Sequence, residues 1–544
     1  MRSSGLMAAG TMASRVLGQL RSTALGWAIG GVASANVFAT ANTLPNNFYA
    51  LLAGGVLNAV LVPQVVKATK QEDGGQDFVD RLLTISGALI LAATLAVTAL
   101  AGPLFLLYST DLPDDQIALG TAFALWCLPQ IFFYGLYTLL GQVLNARGSF
   151  GPYMWAPVMN NVVAIAGLLL FVLVAGPGRK DVDWWTPATI ALLGGTATLG
   201  VAMQAVILIP VLRRSGFHWR PRWGIRGLGL ESAGKVAGWT FAAVLIGQLG
   251  FIVTTRVTNY GGLMAERAGA QVQAGRWAFD QAYLLFMLPH SLVTVSLVTA
   301  FFTRMSHAAV ADRTDLVVAD LSLGLRTTGV ATVFSTAAFC VLSPEIATIA
   351  YLGNADGETK GIALVTIAMA LGLVPYSAQY LLQRVFYAYE DARGPFVIQL
   401  FMALVWAAGN VLAAVALPAE WITVGVGAAL SVSNVVGALL SLHGLRRKLG
   451  PLGTAPVARS HVGFLVAGCG AALAGLGCRW AVQGVVGSGL VAAVITLSVS
   501  GTAMLVAYVG LLQLFGAREL ESLTNAVASR LGRAVKGAGR HANP

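Results

Sequence analysis

Five arginines stand where a chain this apolar should least tolerate them. Arg15, Arg21, Arg256, Arg276 and Arg326 fall within, or near the ends of, long apolar runs, with Asp280 and Asp320 as the main carboxylates set against them. An ionised group at the centre of a membrane helix costs at least about 2.5–3.5 kcal/mol, so it is kept for pairing or for work. Guanidinium stays charged at any biological pH, and its planar fork grips diphosphate oxygens two at a time. A cavity lined by Arg15, Arg21 and Arg256 therefore calls for an anionic ligand. The competing reading is that each arginine snorkels to an interface or satisfies a backbone carbonyl. His290 and Asp280 are the titratable groups that could couple such a site to protons; for His290 a plain polar lining role is the alternative.

Helices must hold these residues. The chain has 544 residues, of which 10% are charged and 56% hydrophobic, and its mean hydropathy is +0.74. An all-α polytopic membrane protein is the class this implies, since only helices or closed barrels satisfy the backbone in lipid. Runs long enough to cross a core of roughly 30 Å recur along the chain. Fourteen spans are expected, near 5–31, 36–66, 82–107, 117–146, 152–176, 186–212, 235–258, 272–303, 318–343, 359–386, 395–416, 421–444, 461–482 and 487–515. Arg15 and Arg21 break the first run, which reads as a retained helix rather than a secretory signal. Pro45 and Pro289 lie inside the second and eighth runs, where each frees a carbonyl and invites a hinge.

Lys and Arg collect in alternate connections, which places both termini in the cytoplasm and the protein in the plasma membrane. The net charge of +11 is thus a topology signal, and no nucleic-acid partner is expected. The four cysteines Cys127, Cys340, Cys469 and Cys478 show no paired spacing. No metal or cofactor site is expected.

The sequence repeats itself. "NARG" (145–148) returns as "DARG" (391–394), and aligning Pro129 with Pro375 also puts Tyr134 on Tyr380. "LPNN" (44–47) finds "LPHS" (288–291), which matches Pro45 with Pro289 and Asn46 with His290. The fourth span matches the tenth and the second the eighth, so two six-helix lobes related by an axis along the membrane normal are expected. The domain reading is 1–212 for the first lobe, 213–234 for a basic cytoplasmic linker, 235–446 for the second lobe, 459–515 for two further helices and 516–544 for a basic tail. Arg147 and Arg393 read as cations closing a helix end beside a capping glycine. The linker "RRSGFHWRPRWGIRGLG" (213–229) suits an anionic leaflet, and Leu520, Leu523, Val527, Leu531 and Val535 mark one face of an interfacial tail helix.

The stretches "SRVLGQLRSTALGWAIG" (14–30), "ANVFATANTLPNNFYALLAGGVLNAVLVPQVVKA" (35–68), "LPQIFFYGLYTLLGQVLNARGSFGPYMWAPVMNN" (128–161) and "YLLFMLPHSLVTVSLVTAFFTRMSHAA" (283–309) resemble the MurJ (MviN) family of lipid II flippases, in the multidrug/oligosaccharidyl-lipid/polysaccharide exporter superfamily, in the style of an actinobacterial branch. The resemblance implies fourteen helices in two lobes around a cationic cavity, and alternating access that carries an undecaprenyl-diphosphate-linked precursor outward. It implies a lipid-linked glycan diphosphate as substrate, membrane lipids as surroundings, and cell-wall synthesis or division proteins as partners. Arg15 and Arg21 match the family's first-helix arginines, and Pro45 with Asn46 its "PN" kink. Asn36, Ser22 and Gly54 stand where the family pattern has carboxylates, and Tyr49 where it often has arginine, which points to membrane potential rather than a dedicated proton site. A flippase for another lipid-linked glycan, a cation-coupled drug antiporter and a non-transporting scaffold for wall synthesis are the alternatives.

Overall fold

A computed structural model of the chain describes residues 2–30, 33–52, 76–109, 112–147, 149–178, 180–217, 219–224, 230–352, 354–391, 393–517 and 519. Gly54, Lys67, Lys70, Arg179, Arg226 and the tail stripe from Leu520 to Val535 lie outside them. Backbone groups in hydrocarbon must be satisfied within their own segment, and the described residues accordingly form helices and no strand.

In chain order these are α1 (Arg2–Ile29), α2 (Ala33–Leu52), α3 (Gln76–Ala99), α4 (Ala101–Tyr108), α5 (Asp114–Cys127), α6 (Gln130–Ala146), α7 (Phe150–Ala175), α8 (Pro187–Val206), α9 (Leu208–Arg214) and α10 (Leu230–Arg267). There follow α11 (Arg276–Pro289), a π-helical turn (His290–Thr294), α12 (Val295–Val310), α13 (Thr314–Ala350), α14 (Asp356–Ala370), α15 (Leu373–Ala388), α16 (Arg393–Ala416), α17 (Ile422–Leu449), α18 (Thr454–Val486) and α19 (Leu490–Leu514). Among the described residues 10 helices are long and apolar enough to cross a membrane, or up to 11 if α14 and α15, bent by 47° at their junction, count as one span. The fourteen expected spans also include α1, α2 and α10, which are helical but not among those ten.

By packing, the chain divides into two units. The first comprises Met1–Asp280, Ala350–Gly361 and Asn410–Thr423, the second Gln281–Ile349, Ile362–Gly409 and Val424–Pro544. These units follow packing and so cut the chain differently from the sequence repeat.

In the first unit, one core joins α2 to α5 through Phe38 edge-on to Phe123 at 5.1 Å, with Trp185 closing on Phe123 at 5.0 Å. Trp185 also donates to Ser34 Oγ at 2.8 Å, which satisfies its polar end as a buried indole requires. A second core joins α3, α6 and α9 through Leu83, Leu139, Val143 and Leu212. Where α6 meets α7, Tyr137 stacks on Tyr153 at 4.7 Å. Gly141 permits that approach, because a Cβ there would sit 2.2 Å from the Tyr153 ring. In the second unit, Met305, Leu381, Val385 and Leu445 form a core among α12, α15 and α17. Another core joins α13 to α18 and α19, where Tyr508 donates to the Val330 carbonyl at 2.8 Å.

Candidate functional site

Helix α1 carries two of the candidate arginines. It lies against α7, where Asn161 donates to the Ser14 carbonyl at 2.8 Å and Gly10 admits the Trp155 ring. Arg15, next to Ser14, is exposed, and Arg21 is half-buried. Six residues along a helix turn about 600°, so the two arginines point about 120° apart. Among the described residues no carboxylate pairs with Arg21.

The other embedded arginines are employed inside the protein. Arg276, 1% exposed, makes a forked pair with Asp280, Nη2 to Oδ1 at 2.6 Å and Nε to Oδ2 at 3.1 Å. Its third donor, Nη1, reaches Thr255 Oγ1 at 3.2 Å, and Phe251 covers the guanidinium face at 4.5 Å. Removing one member of such a pair would strand the other, at a cost of roughly 3–5 kcal/mol. Asp280 is thereby committed to Arg276. Arg256 donates Nε to the Leu107 carbonyl at 2.7 Å, close to the C-terminal end of α4, where the last carbonyls lack helical partners. Arg326, on α13 of the second unit, pairs with Glu519 at 2.6 Å.

Asn36 is buried, and its Oδ1 accepts the Trp277 backbone N–H at 2.7 Å. That N–H belongs to the first turn of α11, so the side chain supplies the acceptor the helix start lacks. Gly275 leaves room for it, since a Cβ there would meet the amide at 2.5 Å. A polar run on α10, Thr254-Thr255-Arg256-Val257-Thr258-Asn259, extends this network. Asn259 donates to Thr40 Oγ1 at 3.2 Å and to Ser109 Oγ at 3.0 Å, and Asn410 donates to Thr254 Oγ1 at 2.9 Å. Sequence reasoning passed over Thr254, Asn259, Thr40 and Asn410. Their signal was there: Thr254, Thr258 and Thr255, Asn259 recur at four-residue steps on one stripe of an otherwise apolar helix.

The two matched prolines sit in different backbones. Pro45 is buried within continuous α2, Asn46 is exposed, and Tyr49 one turn on meets Tyr134 at 5.7 Å and Thr138 through a hydroxyl contact. Pro289 ends α11, and the next residues form the π turn. His290, 2% exposed, faces Ser377 Oγ at 3.3 Å and the rings of Tyr376 and Tyr380 at 4.4 and 5.0 Å. Tyr380 accepts from Arg384 at 2.6 Å.

Arg147 and Arg393 differ in role. Arg147 is the residue after α6 and donates to the Ser215 carbonyl at 3.0 Å, with Phe217 beneath it at 5.1 Å. Arg393 opens α16 rather than closing a helix, because α15 already ends at Ala388. There Asp391 accepts the Gly394 N–H at 2.9 Å and the Lys448 ammonium at 2.9 Å. Partial burial pushes the Asp391 carboxyl up, but these donors outweigh it and hold the group below the usual carboxylate range. Among the described residues no group of three or more His, Cys, Asp or Glu could hold a metal.

The comparisons agree with this architecture. A protein-family model for lipid II flippase MurJ matches residues 26–495. The chain is 28% identical over 449 residues to the lipid II flippase MurJ of Burkholderia cenocepacia, covering 80% of this chain and 82% of that one. A solved lipid II flippase MurJ in an inward closed conformation superposes with a TM-score of 0.73 at 18% identity, over 94% of this chain and 98% of that chain. An inward-facing multidrug resistance MATE transporter of the MOP superfamily superposes with a TM-score of 0.63 at 14% identity, over 83% and 99%. Those two likenesses show the fold, an all-helical membrane transporter fold. With the family model spanning most of its length, the chain belongs to the MurJ family of lipid II flippases, membrane transport proteins rather than enzymes.

Proposed function

We propose that this chain moves lipid II, a lipid-linked glycan diphosphate, from the cytoplasmic to the outer leaflet by alternating access, with both termini cytoplasmic. The observation that carries the assignment is the sorting of the embedded arginines. Arg256, Arg276 and Arg326 each meet an acceptor of the protein itself, whereas half-buried Arg21 has no carboxylate partner among the described residues. A desolvated fork of this kind suits the diphosphate of the substrate. In this reading Arg15 and Asn46, both exposed, extend the binding surface. Arg256 and Asn36 hold its walls, and Pro45 and Pro289 are the hinge points of two repeated lobes. Cell-wall synthesis or division proteins would supply and receive the cargo.

The main rival is a drug antiporter of the same fold, which needs membrane-embedded carboxylates to exchange organic cations for protons. Asp280 and Glu345 instead pair with Arg276 and Arg479. The test is flipping of a labelled lipid diphosphate in reconstituted vesicles. Arg21→Ala should slow it by about tenfold to a hundredfold, the worth of one or two charge-assisted contacts. Arg21→Lys should restore it only in part, since charge returns without the fork. Full-rate flipping by Arg21→Ala would refute the assignment.

A further inference from the structure

A large apolar cavity lies away from these arginines. It measures about 850 Å³ and is lined by Leu83, Gly87 and Leu91 of α3, by Leu136 and Leu140 of α6, and by Trp219, among others. That volume falls within the roughly 300–1,000 Å³ typical of ligand pockets. The segment after α9 lines it through Phe217, Trp219, Pro221 and Trp223 and is tied to α3. Trp219 donates to Thr84 at 3.2 Å, Arg220 N–H to Asp80 at 3.0 Å and Arg222 N–H to Thr84 at 3.1 Å, while the Arg222 guanidinium meets Asp77.

Charge around this segment is lopsided. Asp77 is taken up by Arg81 and Arg222, and Asp80 accepts from the Arg220 backbone. Arg213 on the cavity wall, Arg214 next to it in the chain and Arg220 of the tryptophan segment are exposed, and among the described residues no carboxylate pairs with any of the three. Trp219 and Trp223 are 53% and 73% exposed in the same segment, the placement of aromatic residues at a membrane–water boundary.

We propose that this cavity binds an acyl chain of an anionic glycerophospholipid, whose phosphate engages Arg213 and Arg220. The substrate's own prenyl chain is the other conceivable occupant, and the lining disfavours it. The cavity is walled by α3, α6, α9 and the tryptophan segment, and neither Arg21 nor any other residue of α1 is among its lining. The lipid would act as a wedge that keeps the tryptophan segment seated on α3. This inference stands apart from the flippase reading, because it needs no cargo.

The experiment uses the full chain in vesicles, with three photoactivatable probes: phosphatidylglycerol and phosphatidylcholine carrying a chain diazirine, and a polyprenyl diphosphate carrying one. The phosphatidylglycerol probe should label peptides spanning 83–91, 132–140 and 213–223, and phosphatidylcholine several-fold less. Arg213→Gln should reduce that labelling about fivefold, the worth of one surface arginine toward an anionic lipid. Gly87→Leu should also reduce it, because a Cβ at Gly87 meets nothing within 4 Å and the added side chain fills the cavity. Equal labelling by the two phospholipids, labelling by the polyprenyl probe alone, or labelling unchanged in both variants would overturn the proposal. Arg213 is exposed, so that variant remains informative if Gly87→Leu folds poorly.

Discussion

The stretches Leu44–Asn47 and Leu288–Ser291 share a Leu-Pro pattern and stand in two conformations. In the first, α-helix runs through Pro45 and leaves the following Asn46 exposed. In the second, α-helix stops at Pro289, a π turn follows, and the matched His290 is buried against Ser377, Tyr376 and Tyr380. Yet each keeps the same kind of neighbour. Tyr134 lies against Tyr49 in the first unit, and Tyr380, its repeat partner, lies against His290 in the second. A tyrosine aligned by the repeat thus marks each proline helix, while the residue after the proline decides what the backbone does. A proline frees one carbonyl in either case; only the second copy widens into a π turn, a form that collects at functional sites and hinges.

The comparison can be broken most forcefully at the residue after the proline. His290→Ala removes a buried ring and its Ser377 contact, and should cost about 2–4 kcal/mol in unfolding measured in detergent. Asn46→Ala, at an exposed position, should stay within about 0.5 kcal/mol of the parent. Equal losses would show that the two sites are not distinguished by burial.

Substituting the prolines sharpens it further. Pro45→Ala restores an N–H inside a continuous helix, where proline costs up to about 3 kcal/mol, and should raise the melting temperature. Pro289→Ala should gain less, because the π turn already accommodates the missing donor. A structure of that variant with His290 still at Ser377 would show that the proline does not set the turn.

The tyrosines give a smaller effect. Tyr380→Phe loses an acceptor held by Arg384 at 2.6 Å and should cost about 1.5–3 kcal/mol. Tyr134→Phe loses a contact to Gln130 of 3.5 Å and should cost under about 1 kcal/mol by the same measurement. The smallest difference lies at the repeated Arg-Gly pair. Asp391→Ala removes the acceptor for the Gly394 N–H, worth about 1 kcal/mol, and should remove part of the loss of stability on acidification. The Asp391 pKa is depressed by folding, so its contribution is present above the ordinary carboxylate range and fades as pH falls below roughly 4.

The sequence made some of this legible and not the rest, for physical reasons. Apolar runs could be located because hydropathy acts over twenty residues at a time, and ten or eleven of the expected fourteen coincide with helices long and apolar enough to cross a membrane among the described residues. The Arg276–Asp280 pair is an i,i+4 spacing that periodicity exposes. Arg256 on the Leu107 carbonyl is not readable, since a backbone acceptor has no residue type, and Arg326 with Glu519 joins positions far apart in the chain. The shared "ARG" suggested one role for Arg147 and Arg393. The second copy lost it because α15 ends four residues before Ala392, the residue matched to Ala146 where α6 ends, and Asp391 caps a new helix. Asn36 looked like a lining group; only the fold shows its oxygen spent on the start of α11.

The central claim is that the embedded arginines divide into those that hold the protein together, Arg256, Arg276 and Arg326, and those that hold cargo, Arg21 above all. Melting temperatures of Arg21→Ala and Arg256→Ala, each measured with and without a lipid diphosphate, test it directly. Arg256→Ala should melt lower than the parent, for want of its bond to Leu107, yet still be stabilised by the ligand. Arg21→Ala should melt near the parent and lose most of the ligand-induced shift. A ligand shift retained in Arg21→Ala and abolished in Arg256→Ala would contradict the division.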